Sequence, residues 1–300
     1  MKRYAVIDLG TNTFHLLIVE WKENHLFQTL YRHRTFVKLA ESGIHFIGEQ
    51  AFRRGIEAVL NFKEAIDAYK VNDVLAIGTA ALRTATNAGA FLDAVYEKTN
   101  IRGQVISGLQ EATYICKGVR AAIPIMPPDA VIIDIGGGSV EFIILKDNKV
   151  VWGHSYPIGV AVLYNQFQYN DPILPNEVNQ VEQYLEYILP ELLTQLQKNN
   201  TATLVGASGA FDVFENYSKN KRLHQTYATL TLEEFWKVHG ILLYSTTQER
   251  KENPNIPEGR AEMMAIATIL IAFLLKHHQF GEIYISDYDL KEGVILSIIE

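Results

Sequence analysis

The stretch Tyr4-Ala-Val-Ile-Asp8-Leu-Gly10-Thr-Asn-Thr13-Phe-His15-Leu-Leu-Ile-Val19 is an apolar run that ends in an acid, turns through small residues and returns as a second apolar run. β-Branched and aromatic residues on both sides of a Gly-containing turn predict a strand, a tight loop and a returning strand. A second copy stands at Ala130-Val-Ile-Ile-Asp134-Ile-Gly136-Gly-Gly-Ser139-Val-Glu141-Phe-Ile-Ile-Leu145. Aligned, Asp8 meets Asp134, Gly10 meets Gly136, Thr13 meets Ser139 and His15 meets Glu141. One Asp-x-Gly turn alone reads first as an ordinary hairpin with an exposed acid. Two copies in one chain change the reading, because internal repetition is an architectural signal.

The loop residues Gly10, Thr11, Asn12 and Thr13, and Gly136, Gly137, Gly138 and Ser139, are types whose backbone N–H groups and hydroxyls can close around a phosphate. Asp8 and Asp134, each at a strand end, are placed to hold a divalent metal directly or through water. Two such loops, one per half, are what a nucleotide or polyphosphate cleft requires.

Composition bounds the alternatives. The chain has 300 residues, 48% hydrophobic and 20% charged, enough for one large domain or two ordinary ones with full cores. A net charge of −7 argues against duplex wrapping, which needs a basic face. A small anionic substrate stays allowed, since a local cluster of Arg and Lys matters more than the total. Cys116 is the single cysteine, so no intrachain disulfide can form, as suits a reducing cytoplasm. The apolar N-terminal stretch imitates a signal peptide, but Asp8, Gly10, Asn12 and His15 interrupt it. The longest apolar run, Met263 to Leu275, is too short to span a bilayer and predicts a buried helix. A soluble cytoplasmic protein is expected.

Residues 4–10, 14–20 and 25–39 read as a strand meander whose basic cluster Arg32-His-Arg34 lies on a solvated edge. Residues 49–70 carry Phe52, Ile56, Val59, Leu60 and Ile66 at helical spacing. Val74–Gly78 is a buried strand, and the segment after it opens a helix with Arg83 near its start. Gln104–Gly108 is a further strand and turn, and Ser107 or Gly108 caps a helix with Glu111 in its first turn. Glu111 is there either to complement the helix dipole or to face a cleft and orient a water. Prolines between Pro124 and Pro128 mark a domain boundary.

The second half predicts strands at 130–145, 149–156 and 203–206. A long helix over 175–198 is kinked at Pro190. Residues 211–227 read as a loop or lid, and Thr231-Leu-Glu-Glu234 as a capping box. An apolar helix over 261–276, a strand from Glu282 and a last helix entered at Lys291 complete the chain. His277 and His278 have no acid or Cys at ligand spacing and are expected to be exposed.

At this point the chain resembles the exopolyphosphatase/guanosine pentaphosphate phosphohydrolase family. The motifs that carry the resemblance are Asp8-Leu-Gly-Thr-Asn-Thr13, Ala80-Ala-Leu-Arg83, Ile106-Ser-Gly-Leu-Gln110-Glu111-Ala and Asp134-Ile-Gly-Gly-Gly-Ser-Val-Glu141. The resemblance covers essentially the whole chain and implies an α/β fold of two actin-like (ribonuclease H-like) domains, residues 1–124 and 125–300, with a cleft between them. It implies catalysis by Glu111 and Arg83. Phosphate binding falls to the two loops, and Asp8, Asp134 and Glu141 hold Mg²⁺. Mn²⁺ and a monovalent cation are compatible with the same chemistry.

Inorganic polyphosphate or guanosine pentaphosphate is the implied substrate and a homodimer the implied assembly, with no nucleic acid or membrane partner. Gln110, Gly206-Ala-Ser-Gly209, Arg260-Ala-Glu262 and Lys291-Glu-Gly293 depart from the family pattern. The chain ends at residue 300, without the C-terminal helical segments of longer members, which predicts reduced processivity and guanosine recognition. Lys117, Arg120, Lys219, Lys221 and Arg222 line a polyphosphate path or form a solvated surface. Two other readings share the loops: an ATP-dependent small-molecule kinase of the same fold, and a sensor that binds guanosine tetra- or pentaphosphate without turnover.

Overall fold

Asp8 pairs with His15 across the hairpin that the opening motif forms. Strand β1 (Arg3–Leu9) runs antiparallel to β2 (Thr13–Trp21), and β2 to β3 (Phe27–Phe36). The computed structural model describes residues 2–22, 27–207, 209–218, 222, 224–257 and 259–299. Lys219 and Lys221 therefore lie outside the described residues.

The meander is followed by α1 (Glu49–Ala68), β4 (Asp73–Gly78), α2 (Ala80–Thr84), α3 (Ala88–Thr99), β5 (Gly103–Val105) and α4 (Gly108–Ala122). The second repeat is β6 (Ala130–Ile135) and β7 (Val140–Lys146), with Asp134 opposite Glu141. After it come β8 (Lys149–Tyr156), α5 (Val160–Phe167), α6 (Pro175–Ile188), α7 (Pro190–Asn199), β9 (Thr203–Gly206) and α8 (Gly209–Tyr217). The chain continues through β10 (Tyr227–Leu230), α9 (Leu232–Tyr244), α10 (Thr247–Glu252), α11 (Met264–His277), β11 (Glu282–Ser286) and α12 (Leu290–Ile299).

The two sheets repeat one topology. The first has the order β3-β2-β1-β4-β5 and the second β8-β7-β6-β9-β11-β10. Apart from the edge strand β10, the second sheet replays the first strand for strand: an antiparallel meander joined to parallel strands. This is the α/β, two-domain actin-like architecture that the family resemblance implies. Continuous apolar runs in β1 and β6 follow from their central places, buried on both faces.

Two compact units result. One comprises Met1–Gly118, Gly136–Ser139 and Asp289–Glu300; the other comprises Val119–Ile135 and Val140–Tyr288. These bounds differ from a simple division at residue 124, because the second loop and the last helix group with the first unit. The core of the first unit gathers Ile7, Phe14, Val59, Phe62 and Phe91, that of the second Phe142, Leu185, Phe211, Phe235 and Phe273. Helix α11 is buried nearly all round, as its unbroken apolar sequence requires. Among the described residues no helix is long and apolar enough to cross a membrane.

Four local readings are corrected. The helix expected over 175–198 is two helices broken at Leu189, with Pro190 at the first position of α7, where a missing N–H costs nothing. Residues 209–217 form α8 rather than a loop, because Phe211, Val213 and Phe214 bury against the sheet. Arg32 is not simply a solvated edge residue: its Nη2 stands 2.9 Å from Oε1 of fully buried Glu292. His278 is half-buried and meets the Thr201 carbonyl at 2.7 Å.

Candidate active site

Glu111 owes its position to a capping box that the sequence writes as Ser107-Gly-Leu-Gln110. The Ser107 hydroxyl accepts from the Gln110 N–H (3.2 Å), and the Gln110 side-chain Oε1 accepts from the Ser107 N–H (3.0 Å). Two orphan amides are satisfied reciprocally, and the first turn of α4 is fixed. Gln serves such a box as well as Glu, so the departure at Gln110 belongs to helix capping. Gln110 is exposed while its neighbour Glu111 is buried, 6% exposed.

Arg83 meets Glu111 from the other side. Helix α2 begins directly after β4, and Arg83 Nη1 donates to Glu111 Oε2 at 2.8 Å and to the Ile106 carbonyl at 3.0 Å. Burial pushes the Glu111 carboxyl above its ordinary range, while the charge and hydrogen bond of Arg83 pull it down. A shielded carboxylate with one cationic partner is the form a general base near neutral pH takes.

The two small-residue loops come together within the first unit. A Cβ on Gly137 would stand 2.9 Å from Asn12 Cβ, and one on Gly138 would stand 2.4 Å from Thr11 Oγ1 and 2.8 Å from Ala80 Cβ. Only glycine permits this approach. The Thr11 hydroxyl is buried and accepts from the Ala81 N–H at 3.1 Å, so it ties the first loop to the start of α2. Thr13 and Asn12 are half-buried, whereas Ser139 is buried. Gly136 N–H donates to the Ser139 carbonyl at 3.0 Å and closes the second turn.

Asp8 stands at the end of β1, half-buried, with Oδ1 shielded from solvent and lacking a hydrogen-bond partner. Burial pushes its carboxyl up to about 7; Lys291 works against this, while Asp289, Glu111 and Glu292 add to it. An orphaned buried carboxylate oxygen fits a cation ligand, since desolvation without compensation is costly.

In the second unit Asp134 is half-buried, and Glu141, 1% exposed, accepts from Ser155 Oγ at 2.6 Å. Among the described residues no three His, Cys, Asp or Glu side chains form a group that could hold a metal.

Other residues were harder to see from sequence. Asp289, Lys291 and Glu292 sit at the start of α12, which packs on β1. Their pattern Asp-Leu-Lys-Glu before an apolar run marks a helix start, but nothing local says that this helix returns to the first unit. Of the basic residues proposed for a substrate path, Arg222 is engaged by Asp287 and Glu215. Arg120 is exposed.

Comparison with known proteins places this geometry in a family. The Ppx/GppA phosphatase family matches residues 17–300. A guanosine-5'-triphosphate,3'-diphosphate pyrophosphatase of Pseudoalteromonas translucida is 28% identical over 99% of this chain, which spans 59% of that protein's length. A putative exopolyphosphatase of Haemophilus influenzae is 27% identical, with 99% of this chain and 92% of that protein covered. The crystal structure of an exopolyphosphatase from Cytophaga hutchinsonii superposes with a TM-score of 0.94 at 35% identity, covering 99% of this chain and 98% of the other. The Aquifex aeolicus Ppx/GppA family member gives 0.80 at 25% identity, covering 99% and 97%. With a family match across nearly the whole length and a near-superposable relative, the chain belongs to the Ppx/GppA phosphatase family.

Proposed function

We propose that this chain hydrolyses the terminal phosphoanhydride of inorganic polyphosphate or the 5'-terminal phosphate of guanosine pentaphosphate, with Glu111 as the general base. The observation that carries the reading is the 2.8 Å pair of buried Glu111 with half-buried Arg83, in the same unit as both small-residue loops. Glu111 accepts a proton from the attacking water. Arg83 holds that carboxylate in one orientation and favours its ionised form against the effect of burial, and its remaining N–H groups are available to a phosphoryl oxygen. Amides and hydroxyls of Gly10, Asn12, Thr13, Gly136, Gly137 and Gly138 bind phosphoryl oxygens, with Thr11 and Ser139 as buried supports.

Asp8 is the carboxylate assigned to Mg²⁺ in the first unit, and Asp134 the one in the second. Glu141 is held by Ser155 and orients the neighbouring strand end. Bound Mg²⁺ would neutralise developing charge on the phosphoryl oxygens. Phosphoryl transfer demands mainly such positioning and electrostatic stabilisation, which the charged and small residues of the first unit are equipped to give. A homodimer and a cytoplasmic location are part of the same proposal.

Phosphate release from long-chain polyphosphate, guanosine pentaphosphate and ATP, with and without Mg²⁺, tests the reading. Release from either of the first two is expected. Tight guanosine-polyphosphate binding without any release would replace hydrolysis by sensing, and transfer from ATP to an acceptor would replace it by kinase activity.

A further inference from the structure

The last helix brings charge to the candidate site that the hydrolytic reading does not use. Asp289 caps α12 through a capping box. Its N–H donates to Glu292 Oε2 at 3.0 Å, and its Oδ1 accepts from the Lys291 N–H at 3.1 Å. Helix α12 packs on β1, the strand that ends at Asp8. Its register is fixed by a glycine crossing with α4: a Cβ on Gly293 would stand 1.7 Å from the Tyr114 carbonyl, and one on Gly118 would stand 2.2 Å from that of Asp289.

The Lys291 ammonium cannot turn out to bulk water. Lys291 is 8% exposed, and its Nζ is gripped by both oxygens of Asp289 at 2.6 and 2.7 Å. Its charge bears on Asp8, opposed there by Asp289, Glu111 and Glu292. Buried ion pairs add little stability over apolar residues of the same volume. A clamped charge at the start of the helix that packs on β1, the strand ending in an orphaned carboxylate oxygen, is better explained by what it does to that carboxylate.

We propose that Lys291 is a positioning residue for the reaction: a fixed counter-cation, held by Asp289, that sets how strongly the Asp8 carboxylate attracts a divalent cation. The proposal rests on the assignment of Asp8 to Mg²⁺. A fixed positive charge near Asp8 weakens the resting grip on the metal and leaves the site receptive to a polyanionic substrate. Removing that charge tightens cation binding, and removing the Asp289 charge loosens it.

The test is Mg²⁺ affinity of the full-length protein, measured calorimetrically without substrate at pH 9, where the carboxylates are ionised. Wild type should bind and Asp8→Asn should lose that binding. Lys291→Met should tighten binding by about tenfold and Asp289→Asn should weaken it by a similar factor. Lys291→Arg, which keeps the charge, should stay close to wild type. General damage to the fold would weaken binding in both Lys291→Met and Asp289→Asn, so opposite shifts separate the charge role from a structural one. If Lys291→Met does not fold, Lys291→Gln takes its place as the charge-removing variant, with the same tightening expected.

Shifts in one direction, or none, with Asp8→Asn still abolishing binding would overturn the counter-cation role alone. Binding that survives Asp8→Asn, or no binding by wild type, would overturn the Asp8 assignment and the role built on it.

Discussion

Arg83 Nη1 and Glu111 Oε2 stand 2.8 Å apart, joining the first helix after β4 to the first turn of α4. The pair sets two opposed influences on one carboxyl. Burial raises the Glu111 pKa and Arg83 lowers it. A base works only when ionised, so activity falls on the acid side as Glu111 takes up its proton. Arg83→Gln removes the lowering influence. The acid limb of kcat/KM should move to higher pH, with a loss on the order of 10²-fold at neutral pH. Arg83→Lys should recover part of the limb's position but less of the rate, because an ammonium cannot reproduce the guanidinium fork. Rate profiles between pH 5 and 9 check this.

Glu292 makes a stability prediction. Burial and the Asp289 charge push its carboxyl up to about 7, against Lys291 and Arg32. The folded state thus binds more protons than the unfolded state between the unfolded value of 4.5 and about 7. Stability from this group is complete below that window and declines as pH rises through it. Glu292→Gln keeps the capping box and removes the titration. Its thermal midpoint should exceed that of wild type at pH 8, by an amount worth a few kcal/mol, with the advantage vanishing near pH 4.5. Melting curves at the two pH values decide.

The crossing of α4 and α12 tolerates no side chain. Gly293→Ala would drive a Cβ to 1.7 Å from the Tyr114 carbonyl, backbone that cannot swing away. A destabilisation on the order of 3 kcal/mol or more is expected, read as a lower denaturant midpoint. Gly240→Ala is the control: its Cβ would meet nothing within 4 Å, and in a helix it should stabilise slightly.

Gln110 should be replaceable by Glu. Either residue completes the box with Ser107, so Gln110→Glu should leave the melting temperature nearly unchanged. Ser107→Ala should cost about 1 kcal/mol and lower the rate, because the first turn that carries Glu111 loses its anchor. Parallel melting and rate measurements on the two variants check the assignment.

The sequence made much of this architecture legible. Asp8 and Asp134 head equivalent turns in two sheets of one topology, as their repeated surroundings imply, since strand–turn–strand patterns are local. The meeting of Arg83 and Glu111 was legible only through resemblance. Their contact spans 28 residues, and periodicity does not report which helix starts converge. Lys291 and Glu292 were illegible as parts of the first unit, because their place depends on a helix returning across almost the whole chain. The loop or lid expected over 211–227 gives way to helix α8 up to Tyr217 for a simpler reason. Polar residues there masked Phe211, Val213 and Phe214 at helical spacing, and burial of those three outweighs the polarity around them.

The most direct test of the account is the single-turnover rate of phosphate release by Glu111→Gln beside wild type, on whichever of polyphosphate or guanosine pentaphosphate wild type cleaves. If Glu111 is the base, the variant should bind substrate as wild type does and lose roughly 10²–10⁴-fold in rate, without the acid limb of the pH profile. A near-normal rate with the acid limb intact would show that another group takes the proton and would contradict the mechanism.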